Sequence, residues 1–273
     1  METGGWHMEK ILICEDSQEG IFTGIYEAYA QKCDHDSTRI QLGEEGDLCL
    51  FAEYREIVPD IQKADKVRRT ILTRFGEECY EQICYALSSW ETDKGQAVYQ
   101  TVVEGLKGRI RGSLMDHLGN RYVHRAFELS RAAGNEAHHL LGFLRFEETA
   151  GGILFGEIGP KNNVVPFMMP HFADRFPKEN FIIFDKGRKL YGIHQAGKPW
   201  FLAGMENGPE KQDLEFSEEE RQIQELFRYF CRKITIKERE NEKLQRQMLP
   251  YRFQEYMVEF VNNEQKTGRR KSR

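Results

Sequence analysis

Near residue 140 the hydrophobic period of this chain changes, and that change decides its fold class. Before it, apolar residues recur at helical spacing over long stretches. After it come short apolar or alternating segments, HHLLGFLRFEE, GILFGEIGP, NFIIFD and KLYGIHQAG. Ala150-Gly151-Gly152 and the turn Asp185-Lys186-Gly187-Arg188 punctuate them, and a helix-like VVPFMMPHFADRF stands between the two pairs. The order reads β-β-α-β-β, two antiparallel hairpins flanking one helix. The expected fold class is α+β: mainly helical, with a small central antiparallel β-β-α-β-β sheet. Residues 1–135 read as a mostly helical region with two short strands. Residues 136–262 read as a sheet-containing core plus a basic C-terminal helix, and 263–273 as a disordered basic tail.

The N-terminal strands are placed at Lys10–Cys14 and Asp47–Ile57. Asp16 or Ser17 is positioned to cap a helix carrying Ile21, Ile25, Tyr26 and Tyr29 at helical spacing. A second helix, from Asp60 to Arg74, gathers Val67, Ile71, Leu72 and Phe75 on one face. Helical patterns follow at 77–89, 93–107 and 121–139, with a Gly-rich basic loop between the last two. Past the sheet, 203–217 reads as a polar linker, and Ser217 with Glu220 forms an S-x-x-E capping box. The helix it opens carries Ile223, Leu226, Phe227, Phe230 and Ile234 on one stripe, expected to pack on the body of the protein. Arg228, Arg232, Lys233 and Lys237 lie off that stripe. Leu249-Pro250 ends the element, and Gln254–Val261 reads as a final turn or short helix.

The chain has 273 residues, 40% hydrophobic and 30% charged, enough to bury a real core. No apolar run reaches the roughly 18 residues of a transmembrane helix. The N-terminus has no signal-peptide architecture, because Glu15 and Asp16 cut its apolar stretch short. Six cysteines (14, 33, 49, 79, 84 and 231) form no C-x-x-C pair. They read as reduced thiols of a cytoplasmic protein, with no zinc site, no other metal and no cofactor expected.

Charge is unevenly placed. Residues 1–60 hold 14 Asp/Glu and 4 Lys/Arg, a net of −10, whereas residues 228–252 hold 8 Lys/Arg and 3 Glu, a net of +5. The last eight residues, KTGRRKSR, add five more cations and no acid. A basic face of this kind suits an anionic partner. Lys and Arg neutralise phosphates, Asn241 and Gln245 offer hydrogen bonds to backbone or bases, and Tyr251 and Phe253 offer stacking surfaces. The competing reading is structural, with Arg239 and Arg252 paired to neighbouring Glu.

Three blocks carry a resemblance: GFLRFEE, IGPKNNVVPFMMPHFADRFPKENFIIFD, and LFRYFCRKITIKERENEKLQRQMLPYRFQEYMVEF. With the N-terminal CEDSQEGIFTGIYEAY, they are similar to a bacterial family assigned to DNA repair or DNA metabolism, whose common domain has no established function. The resemblance runs from about residue 10 to 260. It implies a neighbouring radical SAM protein, carrying an iron–sulfur cluster and a helix-hairpin-helix module, as partner. Some relatives are fused to a uracil-DNA glycosylase-like domain, which this chain is expected to lack. No C-x-x-x-C-x-x-C is present, so the chain is not the radical enzyme itself. It departs from the family pattern at Asn162 (usually His), Phe181 (usually Trp) and Lys189 (usually Arg).

The expected function is that of a DNA-metabolism accessory protein contacting nucleic acid through Arg175, Arg232, Lys233, Lys237, Arg239, Asn241 and Arg252. Arg109, Arg111 and Arg121 are further candidates. The acidic Glu15, Asp16 and Glu19 form a candidate docking strip for the partner. A rival reading is an enzyme acting on damaged DNA or nucleotides with His139, Arg145, His171 and Asp185. His171 and Arg175, four apart on one helical turn, suit a phosphate grip or acid–base work, or simply a helix whose Phe172 and Phe176 pack inward. His138 and His139 diverge by about 100° on a helix, which disfavours a shared metal with Glu147 or Glu148. Asp16, Asp36 and Asp47 form no two-metal cluster. Cys14 reads as a small buried hydrophobe rather than a nucleophile. The third reading is a scaffold with no nucleic-acid affinity.

Overall fold

The computed structural model describes residues 8–43, 49–108, 112–236 and 239–260. The chain divides into two compact units, Met1–Gly134 and Asn135–Arg273. In the first, β1 (Glu9–Cys14) leads into α1 (Gln18–Ala30), β2 (Thr38–Leu42) and β3 (Ala52–Ile57). The strands form one parallel sheet in the order β2-β1-β3. The expectation of two strands missed β2. Its sequence TRIQL buries only Thr38 and Ile40, so its apolar signal is faint. Parallel pairing of β1 with β2 needs a crossover, which α1 supplies. Of the two caps considered for α1, Ser17 serves, accepting the Gly20 N–H at 3.0 Å. A Cβ on Gly24 would stand 2.4 Å from Cys14 Sγ, so α1 lies on the sheet only with glycine there.

α2 (Ile61–Phe75), α3 (Glu77–Leu87) and α4 (Lys94–Leu106) follow, then a 3-10 turn at Leu114–Asp116 and α5 (Arg121–Phe143). Asp60 caps α2, accepting from Gln62 and Lys63 N–H. Leu12, Ile21, Ile25, Val67, Ile71, Ile83, Val98 and Val123 share one core in this unit.

In the second unit β4 is only Glu147–Glu148, because α5 continues to Phe143 and absorbs the HHLLGF segment read as strand. β5 (Leu154–Ile158), α6 (Val165–Arg175), β6 (Phe181–Asp185), β7 (Leu190–His194) and β8 (Phe201–Gly204) complete a five-stranded sheet in chain order. The sheet is mixed, not antiparallel. The hairpins β4–β5 and β6–β7 abut through a parallel pair, Leu154 beside Phe181 and Ile158 beside Asp185. That pairing is the consequence of α6, a crossover that returns the chain in its original direction. A Cβ on Gly192 would meet Met169 Sδ at 2.4 Å, so α6 also lies close on β7 through a glycine. About half of the described residues are helical, and the class remains α+β.

A 3-10 turn at Lys211–Asp213 precedes α7 (Glu218–Ile234), α8 (Glu242–Met248) and the short α9 (Tyr251–Gln254). Ser217 Oγ caps α7, accepting from Glu220 N–H at 3.1 Å. The Glu220 carboxylate does not close the expected box. It accepts instead from Glu148 N–H at 3.1 Å and from Gln224 at 2.8 Å. The tail 263–273 lies outside the described residues. No described helix is long and apolar enough to cross a membrane.

Candidate nucleic-acid interface

The segment read as one element from Ser217 to Pro250 is two helices. The β-branched run Ile234-Thr235-Ile236 interrupts it, where restricted χ1 freedom weakens helix. Asn241 restarts it as the cap of α8, its side-chain oxygen accepting from Leu244 N–H at 3.0 Å. Within this bend lies a cavity of about 1150 Å³. Its lining includes Arg228, Arg232 and Arg239 with Asn241 and Gln245, and apolar Ile236, Leu244, Met248 and Met257. Three acids also line it. Glu242 is paired with Arg246 at 2.8 Å and Glu259 with Arg145 at 2.9 Å. Neither arginine lines the cavity, so the remaining lining charge is three arginines against Glu240.

The expected packing of α7 is reversed. None of its residues is buried: Leu226 is 67% and Phe230 53% exposed. The face that meets the unit carries half-buried Glu220, Gln224, Phe227, Arg228 and Cys231, so of the expected stripe only Phe227 turns inward. Gln224 donates to Glu147 at 2.9 Å, and Arg228 Nε donates to the Val258 carbonyl at 3.0 Å. Glu220, Gln224 and Arg228 follow one another at four-residue intervals, and specific hydrogen bonds on that line hold the helix.

The expected nucleic-acid contacts divide into two sets. Arg232 and Arg239 line the cavity, and Lys233 is exposed above the Tyr229 ring at 5.4 Å. Tyr251 is exposed, with Arg246 over its ring at 5.5 Å. Asn241 lines the cavity while capping α8. Arg252, by contrast, is held by Glu136 at 3.2 Å and lies over the Phe253 ring. Phe253 itself is 1% exposed and cannot stack on a base. Arg175 is exposed on α6 over Phe176 at 5.6 Å. Arg121 lies in the first unit, over the Tyr122 ring at 4.5 Å. Lys237, Arg109, Arg111 and Asp47 fall outside the described residues.

The enzyme candidates have separate surroundings. His139 is exposed and packs on Phe143 and Phe253, with ring centroids 5.8 and 6.5 Å away. His171 is exposed against Phe172. Arg145 is taken up by Glu259 and the Gly142 carbonyl. Asp185 is fully buried in its turn, accepting from Gly187 and Arg188 N–H and from the Arg188 guanidinium at 3.0 Å. Burial raises its carboxyl above the usual range, and Arg188 only partly offsets this. Among the described contacts none joins two of these four residues. Burial likewise pushes the Cys14 thiol up to about 12, so it stays protonated and a poor nucleophile. Among the described residues no group of three His, Cys, Asp or Glu is placed to hold a metal.

A residue absent from the sequence-based candidates organises this unit. Glu136, 3% exposed on α5, accepts from Lys161 N–H, Asn162 N–H and Asn162 Nδ2 at 3.1, 2.8 and 2.7 Å, and pairs with Arg252. Arg188 grips the same loop from the β6–β7 turn, donating to the Pro160 and Lys161 carbonyls. Asn162, one of the departures from the family pattern, is thus a buried structural residue. The only sequence signal for Glu136 is a lone acid on an otherwise apolar helical face.

No curated protein matches the chain. The family described as domain of unknown function DUF4130 matches residues 92–259. That stretch is more than half of the 273 residues and takes in the sheet, the Glu136 loop and the arginine-lined bend, and the protein belongs to the DUF4130 family.

Proposed function

We propose that this protein binds single-stranded nucleic acid in the bend between α7 and α8 and serves as an accessory protein in DNA metabolism. The observation that carries this reading is the cavity itself, where Arg228, Arg232 and Arg239 stand among apolar side chains and two hydrogen-bonding amides. Exposed Tyr229 and Tyr251, each beneath a cation, lie on the adjoining helices. Cationic walls with accessible aromatic faces suit a strand whose bases are unpaired, since every base offers a π-face for stacking.

The test is fluorescence anisotropy with single-stranded, duplex and uracil-containing DNA over a salt series. Single strands should bind tightest, with log K falling by about 0.7 per log salt for each phosphate contacted. Arg232→Ala with Arg239→Ala should weaken binding and flatten that slope. These two are chosen because Arg228 also holds α7 in place. No binding at low salt, or an unchanged double variant, would remove the reading.

The radical SAM partner implied by the resemblance belongs to the same proposal. It should be retained by immobilised wild-type protein and lost when Glu15 and Glu19 are both reversed. Retention would take the acidic strip out of the reading. Asp16 is left alone because it neutralises the buried Lys94 ammonium at 2.6 Å, and reversing it would disturb the fold.

A further inference from the structure

The apolar stripe of α7 is open although the helix is already anchored. Its polar line, Glu220, Gln224 and Arg228, is engaged with Glu148, Glu147 and Val258. Turning the apolar side inward would break all of these contacts. Residues 261–273, VNNEQKTGRRKSR, hold a single apolar residue, Val261.

The stripe has its own pattern. Glu219, Ile223, Leu226, Phe230 and Lys233 follow at alternating spacings of four and three, the seam of a coiled coil. Ile223, Leu226 and Phe230 are all exposed. The acid and the base at its ends stand equally far, seven residues, on either side of Leu226. The helix also has three glutamates in its first turn and Arg232 and Lys233 in its last.

We infer that α7 is the dimer interface of this protein, pairing antiparallel with α7 of a second copy about a two-fold axis at Leu226. Such pairing sets Glu219 beside the partner's Lys233 and Lys233 beside the partner's Glu219, with Leu226 against the partner's Leu226 on the axis. The match is isologous: one patch is complementary to itself, as a two-fold interface requires. A parallel pair would instead oppose acid to acid and base to base, and the partner's dipole would add to the mismatch. This inference shares Lys233 with the nucleic-acid reading, but Ile223, Leu226 and Phe230 do not line the cavity, so Leu226→Glu and Phe230→Glu test the pairing alone.

Sedimentation equilibrium of the full chain, from low to high micromolar concentration, tests it. The expected result is a concentration-dependent dimer, monomeric in Leu226→Glu and in Phe230→Glu. Both side chains are exposed, so circular dichroism should show each variant folded. Glu219→Lys and Lys233→Glu should each raise the dimer Kd by about tenfold, because each creates two like-charge contacts per dimer. Together they should restore wild-type association, which neither misfolding nor a different partner would do. A monomer throughout the range overturns the inference, as does a dimer indifferent to Leu226→Glu. If the monomer instead co-sediments with vesicles of phosphatidylglycerol and phosphatidylcholine, the stripe is a lipid-facing surface and the pairing is wrong.

Discussion

Helices α2 and α7 look alike in sequence and end differently. Each starts at a side-chain cap, Asp60 or Ser217, and each carries an apolar stripe at helical spacing. In the first unit α2 turns Ala64, Val67 and Ile71 into the shared core. In the second, α7 buries none of its residues and is held by the hydrogen bonds of Gln224 and Arg228. Periodicity therefore establishes that a helix forms and which face is apolar. Whether that face is enclosed depends on what the rest of the unit offers to meet it. A hydrophobic stripe next to a polar line with specific partners is free to remain outside.

A denaturation series would break or sharpen this contrast. Ile71 is fully buried, and Ile71→Ala should cost about 2–5 kcal/mol through lost burial and the cavity left behind. Arg228→Ala should cost about 1 kcal/mol, because it removes a half-buried donor to the Val258 carbonyl. Leu226→Ala should fall within about 0.5 kcal/mol of wild type when measured on the monomer. The midpoint of urea unfolding, with unchanged slope, reads all three. A Leu226→Ala loss in the monomer as large as that of Ile71→Ala would mean that the α7 stripe is covered within its own chain, contrary to the contrast drawn above.

The parts of the fold legible in the sequence are those set by local chemistry. The period change near residue 140, the caps at Ser17, Asp60 and Ser217, and the Asp185 turn all depend on neighbours within a few residues. What escaped depends on distant partners. The strand TRIQL is defined by pairing with β1, and the parallel β5–β6 junction by the path of α6. The candidate site divides in the same way. Arg232 and Arg239 line the cavity as their sequence neighbourhood suggested, but Arg252 and Phe253 are spent on Glu136 and the core. The structural reading of Arg252 named a neighbouring Glu as its partner, whereas the actual partner, Glu136, lies 116 residues earlier in the chain.

The smallest expected effect concerns how α2 is held. Beyond its apolar face, α2 has a charged tie to α1: Lys63 lies 2.8 Å from Glu27, which also accepts from Gln31 at 2.7 Å. The Lys63 and Gln31 hydrogen bonds and the nearby positive charge outweigh burial, so the Glu27 carboxyl titrates below its ordinary value. The native state therefore holds the Glu27 proton less tightly than the unfolded chain does. The stabilisation is fully present above the unfolded value of about 4.5 and is lost as pH falls through the lower folded value. Glu27→Gln should leave stability in the acid limb nearly that of wild type and widen the gap between the two proteins as pH rises from about 3 to about 6. The α7 tether gives the opposite control. Arg228 bonds a backbone carbonyl and an amide, neither of which titrates there, so the Arg228→Ala deficit should stay level over the same range. A Glu27→Gln deficit equally flat with pH would show that the α1–α2 tie adds no pH-dependent stability, leaving α2 held by its apolar face alone.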